Sequence, residues 1–293
     1  MKIEEWEEYR YFLSSIEDTV EHISESHVLR KVTGYIFNTT GKKLRPLVIM
    51  LSCGAAGGDF RDAVKASLAV EAIHTASLVH DDILDESDMR RSQKSVHAKF
   101  GETAAILCGD FLISNSIELI SGYGPAVIKD FGHSGVLLCE GEAIDAGIKR
   151  GEMTTDQYLL CIYKKTAALF EISARIGSRV GAPGREDLVD VFGTFGRNLG
   201  MAYQIVDDLL EDFGLYKDKE SGILSDSLYS ITLRSMPEKE AAALTVQTAE
   251  KYLADAKDAL SGIPASDSLE KLLFLADYIS GLMDHVRKDI SAL

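Results

Sequence analysis

The period of the apolar residues is the feature that most constrains the fold of this chain. Over positions 61–87 apolar residues recur every three to four positions and fall on one side of a helix, as shown by Val64, Leu68, Ala72, Ala76 and Val79. No segment shows sustained strand-like alternation, and only five prolines interrupt 293 residues. The pattern therefore predicts an all-α protein.

The same spacing predicts further long helices over 101–124, 154–184 and 185–214. Gly181 and Pro183 end the third of these patterns, and interior glycines in the last predict close helix packing. Pro237 and the spacing of Asp267 and Glu270 mark later helix starts. No linker, low-complexity tract or long repeat is visible. We therefore expect a single domain over 1–293.

Composition and charge narrow the classes of function. The formal net charge of −15 argues against a general nucleic-acid binder, which would present a basic face. It leaves an anionic substrate open, because bound divalent metal ions reverse the local sign of charge. A protein that acts on such a substrate without contacting nucleic acid is expected.

Cysteine usage and the termini predict the compartment. The four cysteines are widely spaced with no CxxC pair, which is typical of free thiols in a reducing compartment. The acidic start MKIEEWEEYR is unlike a signal peptide. The longest apolar runs look too short and too interrupted to span a bilayer. We expect a soluble, cytoplasmic protein with no membrane span.

Two acidic clusters each follow an apolar helical run. In LVHDDILDESDMRR, Asp81 and Asp85 are four residues apart and share a helix face. In QIVDDLLEDFG the same spacing relates Asp207 to Glu211, and Asp208 to Asp212. One such cluster is typical of a solvated surface, but two that directly continue apolar runs favour a shared metal site. Carboxylates without histidine or thiol partners favour Mg²⁺, which is commonly completed by phosphate oxygens.

Basic residues accompany the acidic clusters. Each basic element alone is typical of a solvated surface, yet together they predict binding of two anionic groups. These elements contain Arg90 and Arg91 after the first cluster, Lys42 and Arg45 in GKKLRP, and Lys164 and Lys165 in YKKTA.

Five ordered motifs resemble the trans-isoprenyl diphosphate synthases, also called the polyprenyl synthetase family. They cover about residues 41–214 in the order and spacing of that family, namely GKKLRP (41–46), EAIHTASLVHDDILDESDMRR (71–91), FGETAAILCGD (100–110), YKKTA (163–167) and GMAYQIVDDLLEDFG (200–214). A lone DDxxD would be weak support, whereas five elements in order are specific.

The resemblance implies an all-α helical bundle around a central cavity, usually a homodimer, that joins isopentenyl diphosphate to an allylic diphosphate. Asp81, Asp85, Lys165 and Asp207 would be catalytic. The residues of the metal site would be Asp81, Asp82, Asp85, Asp207, Asp208 and Glu211. Of these, Asp82 and Asp208 would act partly by supporting the carboxylates that bind the metal. The allylic substrate would meet Arg90, Lys165, Thr166 and Gln204, and isopentenyl diphosphate would meet Lys42, Arg45, His74 and Arg91.

The chemistry of that reaction suits these residue types. Breaking the allylic C–O bond develops negative charge on diphosphate, which metal ions and cations stabilise. The same cleavage leaves an allylic carbocation, which water would capture. The reaction therefore needs a cavity that excludes water. Diphosphate itself is the implied base, so His80 is predicted to be a packing or supporting residue.

Small residues before the first acidic motif bear on product length. By resemblance, Ala76 and Ser77 would form the cavity floor, and their size favours products of twenty carbons or more over fifteen. Ile73 or a side chain from another helix is the alternative closure, and tight helix packing is an alternative role for both residues.

The pattern departs from the family after the second motif. Neither expected lysine is present in KDKESGILSDSLYSITLRS, although Lys217 and Lys219 are nearby substitutes. Glu211 replaces a common third aspartate. Loss of one cationic contact to diphosphate would cost ~2–4 kcal/mol. Three alternatives stay open: a non-catalytic subunit of a heteromeric synthase, a metal phosphohydrolase using His80 and Asp81, and a helical scaffold without chemistry.

Overall fold

The computed structural model describes residues 2–37, 41–90, 92–149, 151–215 and 226–292. Helices dominate this part of the chain, which confirms the all-α prediction. Their bounds are α1 Glu7–His22, α2 His27–Phe37, α3 Leu44–Ala55, α4 Val64–Leu84, α5 Val96–Phe100, α6 Glu102–Ile120, α7 Pro125–Gly147, α8 Thr155–Ile162, α9 Ala168–Gly181, α10 Glu186–Asp212, α11 Leu228–Thr232, α12 Glu238–Ala259, α13 Asp267–Leu282 and α14 Asp284–Ala292.

Short elements complete the described chain. Three-residue or four-residue 3₁₀ turns span Ile3–Glu5, Phe60–Ala63 and Ser121–Tyr123, and a π-helix spans Tyr163–Ala167. Met89–Arg90 (β1) and Gln93–Lys94 (β2) form a small antiparallel hairpin directly after the first acidic motif. The sequence analysis did not predict this hairpin, because two residues are too few for a pattern of alternation.

The core is built around α3. Residues Leu47, Val48, Ile49, Met50 and Leu51 have no exposed surface, so this helix is covered on all sides. It packs on α9, which packs in turn on α10, while α4 packs on α6 and α10 on α12. The two helices that carry the acidic motifs, α4 and α10, therefore both belong to the packed interior and not to an outer layer.

Glycines let the core helices approach closely. A Cβ atom at Gly177 would lie 2.2 Å from the carbonyl oxygen of Ile49 in α3. A Cβ atom at Gly196 of α10 would lie 2.4 Å from the carbonyl oxygen of Phe170 in α9. Both distances are too short for a side chain, and the prediction that interior glycines of α10 permit close packing is confirmed.

The helix predicted over 154–184 is divided into α8, the π-helix and α9. A Cβ atom at Gly141 of α7 would lie 2.7 Å from Lys165 Cγ, so this glycine leaves room for the π-helix. The wider turn shifts the side chains that follow it, as π-helical insertions commonly do at functional sites. Helix α13 begins where predicted, but its N-cap is Ser266, whose hydroxyl accepts a hydrogen bond from Leu269 N at 3.2 Å.

One expectation about apolar runs is wrong. The helical stretch Glu102–Tyr123 is long and apolar enough to cross a bilayer by length and composition, and only 33% of its most apolar window is buried. One such helix is weak support for a membrane span, because core helices of globular proteins pass the same test. The outward face of α6 nevertheless carries exposed apolar side chains, and a contiguous exposed apolar patch commonly marks an interaction surface.

We predict that Gly177→Ala lowers the free energy of unfolding by about 1–3 kcal/mol, because the added methyl group forces α9 away from α3. Chemical denaturation measures the change. Gly281→Ala is the matched control, since Gly281 is also helical and a Cβ there meets nothing within 4 Å. Equal stability of the two variants would contradict close α3–α9 packing.

Candidate active site

The first acidic motif lies at the carboxyl end of α4, where a buried helix reaches the hairpin. Asp82 is only 1% exposed, Asp81 is half-buried, and Asp85 is exposed just after the last helical residue. Arg90 of β1 donates from Nε to Asp82 Oδ1 at 2.7 Å. Asp82 Oδ2 is buried and has no hydrogen-bond partner among the described residues. The hairpin thus brings the Arg90 guanidinium to Asp82 Oδ1, while Asp82 Oδ2 lacks a hydrogen-bond donor among the described residues.

Asp81 lies in a setting that opposes ionisation. Burial and the nearby charge of Glu142 raise its pKa to about 7, against the opposing effect of Lys165 and Arg90. Glu142 belongs to α7 and Lys165 to the π-helix, so three elements converge on Asp81. A carboxyl group held this way gains from any cation that reaches it.

Lys165 is paired with carboxylates of α7. Its Nζ lies 2.8 Å from Glu142 Oε2 and 2.6 Å from Asp145 Oδ2. Burial lowers the pKa of Lys165, but its hydrogen bonds to Asp145 and Glu142 outweigh burial and raise it. The neighbouring Lys164 turns away and donates to Glu140 at 2.5 Å. Lys165, and not Lys164, therefore faces the acidic site.

The second acidic motif lies in the last turns of α10 and is joined to the π-helix by hydrogen bonds. Asp208 accepts from the Tyr158 hydroxyl at 2.6 Å and from Gln204 Nε2 at 2.8 Å. Thr166 donates to the side-chain oxygen of Gln204 at 2.7 Å. Burial raises the pKa of Asp208 to about 7, and its two hydrogen bonds only partly offset this. Through Gln204, these hydrogen bonds connect Thr166, the chain neighbour of Lys165, to Asp208 of α10.

The remaining acids of α10 flank Asp208. Asp207 and Glu211 are half-buried and one turn apart. Asp212 accepts a hydrogen bond from the Ser227 hydroxyl at 2.5 Å, and burial raises its pKa to about 6. The motif therefore presents four carboxyl groups over less than two turns.

The basic motif before α3 lies beside the middle of α4. Arg45 Nη1 is 3.2 Å from His74 Nε2, and its guanidinium carbon is 4.7 Å from the centre of the Phe170 ring. Lys42 is exposed, with Nζ 5.2 Å from the centre of the Tyr278 ring in α13. Arg45 therefore lies against His74 of α4, while Lys42, three residues earlier, reaches Tyr278 of α13.

Ala76 and Ser77 have different surroundings. Ala76 has no exposed surface and belongs to the apolar cluster of α4 and α6 that includes Cys108 and Leu112. Ser77 is half-buried, and its hydroxyl donates to the carbonyl of His74 at 2.9 Å. Ser77 is four residues before Asp81 and therefore lies on the same face of α4, one turn earlier, whereas Ala76 faces the apolar cluster.

His80 packs between α4 and α6. A Cβ atom at Gly109 would lie 2.1 Å from His80 Nε2, and this nitrogen is 3.5 Å from the carbonyl oxygen of Ile106. The contact agrees with the prediction that His80 is a packing residue. No group of three or more His, Cys, Asp or Glu side chains stands close enough to hold a metal among the described residues, and this applies to a carboxylate site as much as to a histidine-based one.

Some predicted residues lie outside the described residues, namely Arg91, Lys217 and Lys219. Asp226, where the described chain resumes, accepts from Gly151 N at 3.0 Å and from Arg234. Ile231, aligned with the expected late motif, is buried. These contacts fix the return of the chain to the bundle without adding a lysine to the described site.

Sequence reasoning missed several residues of the site. Glu142 and Asp145 were not considered, although their spacing in CEGEAIDAG places two acids on one helix face. Tyr158 gave no signal, because its role depends on the packing of α8 against α10. Lys43 and Glu71 lie in quoted motifs but were given no role, and the structure pairs them.

The chemical type of these side chains fits Mg²⁺, and no three of the described carboxyl groups stand close enough together to form a closed site in the free protein. The candidate donors are all carboxylate oxygens, one of them buried without a partner, and Asp81 and Asp208 have raised pKa values. Mg²⁺ is commonly held by one or two carboxylates together with water and substrate phosphates, so a closed protein cage is not required. A divalent ion would relieve the repulsion among these acids.

We predict that metal-free protein loses thermal stability between pH 5 and pH 8. Asp208 has a pKa of about 7 when folded and roughly 4 when unfolded. The unfolded chain therefore releases its proton first, and folding becomes less favourable as the pH rises through this window. Mg²⁺ should restore stability more at pH 8 than at pH 5, because it binds the ionised carboxylate.

Melting temperatures of metal-free Asp208→Asn should vary less with pH than those of the wild type, since asparagine keeps an acceptor for Tyr158 without the charge. Asp258→Asn, at an exposed position of α12, is the control and should follow the wild type. Identical pH dependence of all three proteins would show that Asp208 does not titrate in this range.

The fold and the motifs match known proteins. The sequence model described as Polyprenyl synthetase matches residues 26–230. The chain is 41% identical over 280 residues to a geranylfarnesyl diphosphate synthase of Methanosarcina mazei, covering 96% of this chain and 94% of that one. It is 35% identical over 224 residues to a geranylgeranyl diphosphate synthase of Sulfolobus acidocaldarius, covering 71% and 67%.

Solved structures agree with the sequence matches. A geranyltranstransferase from Methanosarcina mazei superimposes with a TM-score of 0.84 at 38% identity, covering 97% of this chain and all of that one. A geranylgeranyl pyrophosphate synthetase from Pyrococcus horikoshii gives 0.80 at 28% identity, covering 94% and 99%. The chain therefore belongs to the polyprenyl synthetase family, the trans-isoprenyl diphosphate synthases, and is a prenyltransferase.

Proposed function

We propose that this prenyltransferase condenses isopentenyl diphosphate with an allylic diphosphate, in the presence of Mg²⁺, to give a trans-prenyl diphosphate of twenty carbons or more. The observation that supports the proposal is that Lys165, paired with Glu142, acts electrostatically on Asp81, while its chain neighbour Thr166 is joined by hydrogen bonds through Gln204 to Asp208. Anionic groups for metal ions and a cation for diphosphate would thus act on the same substrate group. Relatives named for products of twenty and twenty-five carbons support the length.

The allylic diphosphate would lie between the ends of α4 and α10. Asp81, Asp85 and Asp207 would hold Mg²⁺, which would supply positive charge for the leaving diphosphate. Lys165 would exchange Glu142 and Asp145 for diphosphate oxygens, and Thr166 and Gln204 would orient the same group. Arg90 would act beside Asp82 from the hairpin, while Asp82, Asp208 and Glu211 support the metal-binding carboxylates.

Isopentenyl diphosphate would occupy the second cationic group, formed by Lys42, Arg45 and His74, with Arg91 assigned there by resemblance. Its C=C electron pair would attack the allylic carbon as the C–O bond breaks and diphosphate departs. A proton then leaves the condensation product, and the released diphosphate would accept it.

Product sizing tests the proposal directly. Purified protein would be incubated with Mg²⁺, labelled isopentenyl diphosphate and dimethylallyl, geranyl or farnesyl diphosphate. Products of twenty carbons or more are expected. A fifteen-carbon stop would keep the reaction and refute the length. Absence of elongation by folded protein would favour the alternative of a non-catalytic subunit, which the two missing lysines after the second motif also favour.

We predict that Asp81→Asn lowers kcat by roughly 10²–10³, because one ligand for the charge on the leaving group is lost. Steady-state elongation assays at saturating substrates measure the effect. The exposed Asp258→Asn variant is the control and should keep the wild-type rate. An Asp81→Asn variant with wild-type kcat would remove the first motif from the mechanism.

For product length, we propose that the growing chain enters an apolar cavity beside α4, with Ala76 and Ser77 near its floor. We predict that Ser77→Phe shortens the product toward fifteen carbons, whereas Ala76→Phe mainly lowers the melting temperature because Ala76 is enclosed against α6. Chromatography of the products and thermal unfolding separate the two effects. Unchanged product length in folded Ser77→Phe would place the floor elsewhere.

We further propose a homodimer formed through α6 and α7. Exposed apolar side chains follow one another on these two helices, namely Ile106, Leu107, Ile117, Ile128 and Val136. A second copy would cover this face and account for the apolar character of α6 without lipid. Free cysteines support a reducing, cytoplasmic location. The net charge of −15 supports a protein that does not bind nucleic acid.

The double variant Leu107→Glu/Ile117→Glu should be monomeric, because two buried charges would oppose the interface. Light scattering coupled to size-exclusion chromatography measures the mass. Leu244→Glu, at an exposed apolar position of α12, is the control and should leave the dimer intact. A dimeric double variant would exclude this face.

A further inference from the structure

Lys43, the residue that precedes α3, has an unusual backbone. Its φ of 49° and ψ of 38° lie in the left-handed region. For a residue with a side chain this conformation costs roughly 1–2 kcal/mol, so the surrounding structure must enforce it. Leu44 and Pro46, which follow it, are buried and start the central helix. The strain lies inside the motif GKKLRP, between Lys42 and Arg45.

The Lys43 side chain forms a buried ion pair. Its Nζ lies 2.8 Å from Glu71 Oε1 of α4, and the two side chains are only 7% and 6% exposed. Removing one partner of a buried pair leaves the other charge without compensation, which is strongly unfavourable. Glu71 therefore holds Lys43 inward, and Lys43 is inaccessible to a diphosphate in solution.

Anchoring Lys43 decides where its neighbours point. Lys42 is exposed and its Nζ lies over Tyr278 of α13. Arg45 reaches His74, which is three residues after Glu71 and therefore on the same side of α4. Two contacts thus join the motif to one turn of α4, the Lys43–Glu71 pair and the Arg45–His74 contact.

We propose that the Lys43–Glu71 pair is a positioning device for the isopentenyl diphosphate site. It fixes the left-handed turn that directs Lys42 outward and sets Arg45 against His74. Lys43 and Glu71 are positioning residues that do not contact the substrate. The proposal rests on the function proposed above, since it assumes that Lys42, Arg45 and His74 bind isopentenyl diphosphate.

Glu71→Gln tests the proposal, because it removes the charge that anchors Lys43 and keeps the size of the side chain. Calorimetric titration with isopentenyl diphosphate alone gives the dissociation constant without turnover, and elongation assays give separate KM values for both substrates. We expect isopentenyl diphosphate to bind about tenfold more weakly or worse, the usual cost of losing a group that orients a binding residue. KM for the allylic substrate should stay within about twofold, because Lys165 and its partners are untouched.

A second buried ion pair supplies the control. Lys271 Nζ lies 2.9 Å from Glu8 Oε2, with side chains 11% and 5% exposed. Glu8→Gln should lower the melting temperature and leave affinity for both substrates unchanged. A purely structural role of Glu71 would give the same result as this control. Glu71→Asp, which keeps the charge, should recover part of the lost affinity.

If Glu71→Gln does not fold, Lys43→Met carries the test, because it removes the same ion pair from the other side. Affinity for isopentenyl diphosphate within about twofold of the wild type in a folded variant, or equal loss for both substrates, would overturn the proposal. If the wild type elongates primers and the variant binds isopentenyl diphosphate normally, the positioning proposal is refuted and the proposed function stands. Wild-type protein that neither binds isopentenyl diphosphate nor elongates contradicts both proposals.

Discussion

The free-energy cost of burying carboxylates governs the organisation of this protein. Helices α4 and α10 belong to the packed core, and both end in clustered acids that lie partly out of water. A carboxylate in such a place needs a cation or several hydrogen-bond donors. Arg90 donates a hydrogen bond to Asp82, and Tyr158 and Gln204 donate hydrogen bonds to Asp208. The raised pKa values of Asp81 and Asp208 show that this compensation is incomplete.

Incomplete compensation suits the proposed site, which would accept metal ions and then a diphosphate. In the free protein Lys165 is shared by Glu142 and Asp145, so the acids and the cation satisfy one another. A metal–diphosphate unit presents both charges at once and can replace these internal partners. The arriving substrate would then avoid part of the cost of desolvating a bare lysine, since Lys165 is already half-buried.

Helix packing makes this arrangement precise. The glycine at 141 admits the π-helix, which turns Lys165 toward α7 and Thr166 toward Gln204 of α10. Gly177 and Gly196 hold α9 between α3 and α10 at distances that no side chain would allow. The positions of Lys165 and Thr166 are therefore set by backbone contacts in the core.

The sequence predicted the long helices well, because α4, α6 and α10 each carry an apolar face over five turns or more. It also led to Asp81, Asp208 and Lys165, whose motifs are local. It missed Glu142, Asp145 and Tyr158, because their importance comes from contacts between helices distant along the chain. GKKLRP shows the same limit, since periodicity does not reveal that Lys43 turns inward to Glu71 while Lys42 stays exposed.

Whether the acids and cations exchange partners around metal-bound diphosphate is the central claim. A crystal structure with Mg²⁺ and inorganic diphosphate tests it most directly. The account predicts metal ions on Asp81, Asp85 and Asp207, and Lys165 Nζ moved from Glu142 and Asp145 to a diphosphate oxygen. Diphosphate bound away from the ends of α4 and α10, or a Lys165 that keeps both α7 carboxylates with diphosphate present, would contradict it.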